Sequence, residues 1–335
     1  RPDAAALISE LKGLGIRPIM LTGDNLAIAR EIARRTGVGE RVVSVRELKE
    51  GGRDLAGVID EVDGLAEVLP EDKFIVVRAL QGKGHIVAMT GDGVNDAPAL
   101  SQAEVGIAVA GATDAAKAAA SIVLLEEGLR PIVEAVRVGR VLFERALSWV
   151  INKAVKTAQA IGVVIVGMLW LRRMVLTPTG MALLLVANDF LTMSLASDNA
   201  RPSGRPGAWR MSSIVVLSLA LAVAMTAPPL LVLWRCTSEG LSWDVTTAMV
   251  LLSLVYTSQF RILVVRERRW MWSTVPGRSL ILSVIGTFAA FTAMALAGVL
   301  LPQLSPGQVA ETLALSSTCL LVEPLKVALA RRLLA

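Results

Sequence analysis

The residues whose types and spacing point most directly to chemistry lie in one string, Met89-Thr90-Gly91-Asp92-Gly93-Val94-Asn95-Asp96-Ala97-Pro98. Gly91 and Gly93 permit a tight turn in which the backbone can approach a ligand closely. Asp92, Asp96 and the amide of Asn95 follow an apolar run, Ile86-Val87-Ala88, that reads as a short buried strand begun by His85, the sole histidine. Three oxygen-bearing side chains on one strand-to-helix turn suit a hard cation such as Mg²⁺, which keeps several waters and takes one or two carboxylates. A Gly-Asp-Gly met alone is ordinarily a turn with an Asx cap.

Two other stretches carry chemistry of the same kind. Thr22-Gly23-Asp24-Asn25 places a hydroxyl and free backbone N–H groups at the start of a helix, where anions bind; Asp24 or Asn25 serving only as a cap is the plainer reading. Pro70-Glu71-Asp72-Lys73 opens a helix with proline and acids in its first turn. Lys73 can hold a phosphoryl oxygen there, although a lone lysine is most often a solvated charge.

The elements that position these groups alternate. The pattern predicts a helix over Ala4–Gly13, stopped by Gly13 and Gly15, then a buried strand over 17–21. A helix over 27–35 ends at Gly37. Further strands are expected over 42–45, 86–88, 105–109 and 121–125, and a helix over 113–119, while 55–65 is ambiguous. Strands alternating with helices imply an α/β fold with a doubly wound parallel sheet. Ligands of such sheets bind outside the carboxyl ends of the strands, the edge where Thr22, Gly23, Lys73, Asp92, Asn95 and Asp96 would gather.

Composition divides the chain. The 335 residues are 54% hydrophobic with a mean hydropathy of +0.59, too apolar for an ordinary soluble protein. Charges crowd the first half and long apolar runs fill the second, so a soluble lobe precedes a membrane domain. The net charge of +5 fits basic loops at a membrane better than nucleic acid, for no aromatic-rich basic patch occurs and no nucleic-acid partner is expected. Cys236 and Cys319 form neither a metal-ligand spacing nor a disulfide framework. The chain starts at Arg1 and no signal peptide precedes the lobe, which suggests the C-terminal part of something longer.

The domains expected are 1–127 for the soluble lobe, 128–153 for an amphipathic linker with Arg130, Arg137, Arg140 and Arg145, and 154–335 for the membrane domain. Apolar runs near 154–171, 175–196, 214–234, 245–265, 280–301 and 309–329 are each about long enough to span a bilayer. Arg201, Arg205, Arg210, Arg266, Arg268, Arg269, Arg278, Arg331 and Arg332 then fall on the lobe's side, which the positive-inside rule makes cytoplasmic. Arg172, Arg173 and Arg235 are exceptions. Ionisable groups inside spans mark ion paths, because their burial is costly unless paired or used. Asn188-Asp189, mid-span, is the candidate ion site, with Gln159 and Lys156 on the preceding span. A helix-packing polar pair is the plainer reading. Glu323 and Lys326, three apart, are expected to pair, and Pro324 to bend the last span.

Thr22-Gly23-Asp24, Pro70-Glu71-Asp72-Lys73 and Thr90 to Pro98, in this order, resemble the second half of the phosphorylation domain of P-type ATPases, a haloacid-dehalogenase-like fold. The resemblance implies that Thr22 and Gly23 bind the transferred phosphoryl group and that Lys73 neutralises it. It also implies that Asp92, with Asp96, ligates Mg²⁺, that Asn95 and Asp96 complete the site, and that ATP is the substrate. The six spans would be the fifth to tenth membrane helices, with the linker as their stalk. The nucleophile string Asp-Lys-Thr-Gly-Thr, the nucleotide-binding domain and the actuator loop do not occur in this sequence. This polypeptide alone is therefore expected to hydrolyse no ATP, and the missing N-terminal half is an expected partner.

After Asp189, the pattern Ser197-Asp198-Asn199-Ala200-Arg201-Pro202-Ser203 with Pro206 and Trp209 resembles the plasma-membrane proton-pumping class, in which Asp189 matches the proton carrier. A lone carboxylate suits a proton, because burial favours its protonated form and a conformational change can reverse that preference. A Ca²⁺ site takes six or more oxygens, for which these spans hold too few acids. The class's mid-membrane arginine falls at Gln159, with Lys156 one turn away as a substitute. The absence of a long C-terminal extension points to a prokaryotic-type pump of the plasma (inner) membrane. A Mg²⁺ or other metal-cation pump, and a non-catalytic membrane subunit with a phosphatase-like lobe, are the alternatives.

Overall fold

The computed structural model describes residues 4–52, 54–204, 207 and 209–334. Pro206 of the proton-pump-like pattern, the loop residue Arg205 and Arg1 lie outside them. Two compact units result: one runs through Val138 and includes Gly204, and the other comprises Gly139–Ser203 and the residues from Gly207 onward.

The first unit alternates helices and short strands in the order α1 (Ala4–Gly13), β1 (Met20–Leu21), α2 (Leu26–Thr36), β2 (Val42–Ser44), α3 (Val45–Glu50), α4 (Leu55–Val58) and β3 (Gly64–Ala66). There follow α5 (Pro70–Gly82), β4 (Ala88–Gly91), α6 (Ala97–Gln102), β5 (Val105–Ala108), α7 (Asp114–Ala119) and β6 (Ile122–Val123). All strand pairs are parallel. The expectation of one sheet needs correction: among the described residues there are two three-stranded sheets, ordered β1-β3-β2 and β4-β5-β6. β1 and β4 are each an edge strand, paired on one side only. His85 precedes β4 and does not begin it. Both sheets bury apolar residues in one core, with Leu65 and Val68 from one side of the chain and Met89, Ala99, Leu100 and Ala108 from the other. The ambiguous 55–65 stretch is a short helix followed by the start of β3.

Local chemistry explains the helix ends that matter. Asn25 caps α2 by accepting from the Ile28 N–H at 3.0 Å, and Gly37 at φ 72° closes that helix in the left-handed conformation glycine tolerates. Pro70 starts α5 where its missing N–H is harmless. The fully buried Asp72 reaches back to accept from the Leu69 N–H at 3.0 Å.

The second unit is helical. It takes the later part of α8 (Arg130–Leu171), then α9 (Pro178–Ser194), α10 (Met211–Ser238), α11 (Trp243–Val265), α12 (Arg278–Ala297), α13 (Pro306–Ser317) and α14 (Glu323–Leu333). Among the described residues six stretches are long and apolar enough to cross a membrane, the last being α13 and α14 joined through a 3₁₀ segment, Thr318–Val322. Pro324 lies just past that segment, in the first turn of α14, where its missing N–H is tolerated. α11 is the central helix, packed against α9, α10, α12 and α13.

Candidate functional site

In the first unit, the turn after β1 is a closed hydrogen-bonded device. Thr22 takes the ladder onward, its N–H bonding Leu65 O at 3.0 Å and its carbonyl accepting from Val68 N at 3.0 Å. Its hydroxyl donates to Asp24 Oδ2 at 2.7 Å and accepts from the Asp24 N–H at 3.2 Å. Gly23 is exposed next to it, in a turn open to a ligand.

The turn after β4 is organised by Asp96, which is 3% exposed. Lys73 Nζ, from the first turn of α5, donates to Asp96 Oδ1 at 2.6 Å. The backbone N–H groups of Asp92 and Gly93 donate to Oδ2 at 3.0 and 3.3 Å. Burial drives the Asp96 carboxyl toward protonation, but the Lys73 ammonium and the two N–H groups outweigh it and hold the group below the usual carboxylate range. Gly91 makes the fit possible, since a Cβ there would stand 2.4 Å from that of Asp96.

Asp92 and Asp96, the expected metal ligands, differ in how they are engaged. Both Asp96 oxygens accept from protein donors, which ties the carboxylate to Lys73 and to the turn. Asp92 and Asn95 are exposed, and among the described residues neither side chain is held by a hydrogen bond. A free, solvated carboxylate at a strand end fits Mg²⁺, a cation that prefers few protein ligands and several waters. Among the described residues no group of three or more His, Cys, Asp or Glu side chains could cage a metal ion. The turn after β1 carries N–H groups and a hydroxyl, and the turn after β4, with Lys73 of α5, carries an ammonium and a carboxylate, groups of the kind that suit a phosphoryl group with its cation.

In the second unit, Asn188 and Asp189 part company. Asn188 is 3% exposed, whereas the Asp189 side chain is 61% exposed and stands 3.7 Å from Lys156 Nζ. The expected buried acid is therefore an exposed one in this chain. Successive helical residues point about 100° apart, so only one of the pair can face α11, and the amide does. Gln159 is buried and donates to Met225 O at 2.7 Å. That carbonyl lacks its normal helical partner because Pro229, four residues on, has no N–H.

The structure adds a residue that the sequence reading passed over. Arg261 of α11 is 2% exposed and donates to Asn152, Gln159 and Asn188. A charge inside an apolar span was the available signal. A cleft of about 430 Å³ is lined by Lys156, Gln159, Asn188 and Arg261 among apolar side chains. Asp198 of the proton-pump-like pattern is a fold-holding acid: it receives Arg266 Nε at 2.7 Å and the Gly277 N–H at 2.7 Å. Glu323 and Lys326 do pair, at 2.9 Å.

A parallel α/β lobe with these turns at its strand ends defines a class, and residues 1–104 match the haloacid dehalogenase-like hydrolase family. Over 308 residues the chain is 38% identical to the Methanocaldococcus jannaschii protein named "Putative cation-transporting ATPase MJ1226", covering 89% of this chain and 38% of that one. It is 36% identical over 290 residues to plasma membrane ATPase 1 of Schizosaccharomyces pombe, covering 82% and 31%. With plasma membrane ATPase 1 of Saccharomyces cerevisiae it is 34% identical over 288 residues, again covering 82% and 31%. The chain is thus a homologue of the C-terminal part of P-type ATPases, with a haloacid-dehalogenase-like lobe followed by candidate membrane helices. It spans about a third of the length of these relatives.

Proposed function

We propose that this chain is the C-terminal portion of an ATP-driven proton exporter of the plasma (inner) membrane of a prokaryote, with its lobe in the cytoplasm. The carrying observation is the Asp96 carboxylate, which binds Lys73 on one oxygen and the Asp92 and Gly93 N–H groups on the other. That grip fixes a cation donor beside an uncommitted Asp92 carboxylate. Thr22 and Gly23 receive the phosphoryl oxygens, Lys73 neutralises them, and Asn95 and Asp96 complete the site. Bound at Asp92, Mg²⁺ would supply further positive charge to the phosphoryl group. The aspartyl nucleophile and the ATP site lie outside these 335 residues, so the fragment alone turns over no ATP. An edge strand in a common core calls for a partner, and the open edges β1 and β4 would receive the strand that bears the nucleophile.

Asp189 carries the proton in this reading, with Lys156 as its neighbour. A carboxylate and an ammonium at bilayer depth are costly if lipid faces them. The exposed Asp189 is therefore covered, in the complete pump, by helices outside this chain. A metal-cation pump is the second reading, favoured by the name of the Methanocaldococcus relative.

The experiment is to measure Mg²⁺-dependent, vanadate-sensitive ATP hydrolysis by the complete pump, with Asp92→Asn beside wild type. The proposal expects a loss on the order of 100-fold or more. Hydrolysis at the wild-type rate in the variant would remove Asp92 from the site.

A further inference from the structure

Arg261 gathers three side-chain oxygens from two other helices. Its Nε donates to Asn152 Oδ1 at 3.0 Å, its Nη1 to Gln159 Oε1 at 2.7 Å and its Nη2 to Asn188 Oδ1 at 2.9 Å. All four residues are buried. Each partner is neutral, and among the described residues no acid forms an ion pair with Arg261. Asp189 pairs instead with Lys156. Lys156 on α8 is the charged neighbour of the guanidinium, and Cys319 of the 3₁₀ segment faces it as a neutral thiol.

Carboxamide oxygens converging on one buried point are ligands that a hard metal cation takes. Here a guanidinium holds that point instead. It is always charged and has donors only, so it consumes the oxygens and repels any second cation. A buried charge without a counter-charge is expensive, and its position against the candidate ion path gives that expense a use. Gln159, Asn188 and Arg261 line the cleft together with Lys156, which stands 3.7 Å from Asp189.

We infer that Arg261 is a specificity-determining residue: a tethered cation that occupies the carboxamide site of Asn152, Gln159 and Asn188 and keeps metal ions out, leaving the proton as the mobile charge. This rests on the proton reading above and explains how one path refuses metal ions. The guanidinium touches no transported species; it acts by holding the oxygens that would bind one.

The test is equilibrium binding of radioactive sodium to the complete pump containing this chain, purified and folded as judged by its thermal transition. Wild type and Arg261→Lys, which keeps the charge, bind no sodium saturably. Arg261→Gln, which frees the oxygens and removes the charge, binds sodium saturably. Saturable sodium binding by wild type, or a folded Arg261→Gln pump that binds no more than wild type, overturns the inference. Should Arg261→Gln not fold, wild-type ATP-driven acidification in sodium versus choline medium decides. Equal rates uphold the filter, and competitive loss in sodium overturns it. Failure of the proton reading is separate, since it appears as absent acidification whatever sodium does.

Discussion

Lys73 and Asp96, from helix and turn, meet at 2.6 Å with the lysine side chain 24% exposed and the aspartate 5%. The pair ties α5 to the turn after β4, and the second Asp96 oxygen ties that turn to itself. The same acid therefore serves stability and the aim of the lysine.

Replacing Asp96 with Asn removes the charge and keeps the shape. The variant loses about 1.5–3 kcal/mol, the worth of hydrogen bonds to a charged group, in denaturant unfolding of the chain in detergent. The sign with pH follows from the lowered carboxyl. Its stabilisation is complete above the unfolded value of about 4 and is lost as pH falls through the folded-state value. Wild type and variant therefore converge in acid and differ at neutrality. A constant difference down to the lowest pH measured would count against the ion pair.

Asp198 and Arg266 form a pair buried to 3% and 1% side-chain exposure. Asp198→Ala leaves the guanidinium without its counter-charge, at a cost of about 3–5 kcal/mol. Its thermal transition falls, and adding Arg266→Met to it recovers part of the loss. Equal losses in the single and double variants would mean that the pair is not the unit of stability.

The strand-turn-helix units around Thr22 and Asp92 and the six apolar spans were legible because strand and helix signals are local in sequence. Sheet order was not, since β1 and β4 owe their place to pairings with β3 and β5 that no local pattern encodes. The faces of α9 were not legible either. That helix is apolar on every side, so periodicity could not tell Asn188, which meets Arg261, from the exposed Asp189. Arg261 itself bonds residues 73 to 109 positions away. Its charge was visible in the span, but its three partners were a matter of tertiary packing. Asp96 was recognised as part of the site, while its double engagement needed coordinates.

The central claim is that ATP hydrolysis guided by this lobe moves a proton on Asp189. The most direct measurement is ATP-driven, vanadate-sensitive acidification of sealed vesicles holding the complete pump, wild type beside Asp189→Asn, at matched phosphoenzyme levels. The account predicts that wild type acidifies the lumen and that the variant does not, while it still forms phosphoenzyme. Undiminished acidification by Asp189→Asn would contradict it.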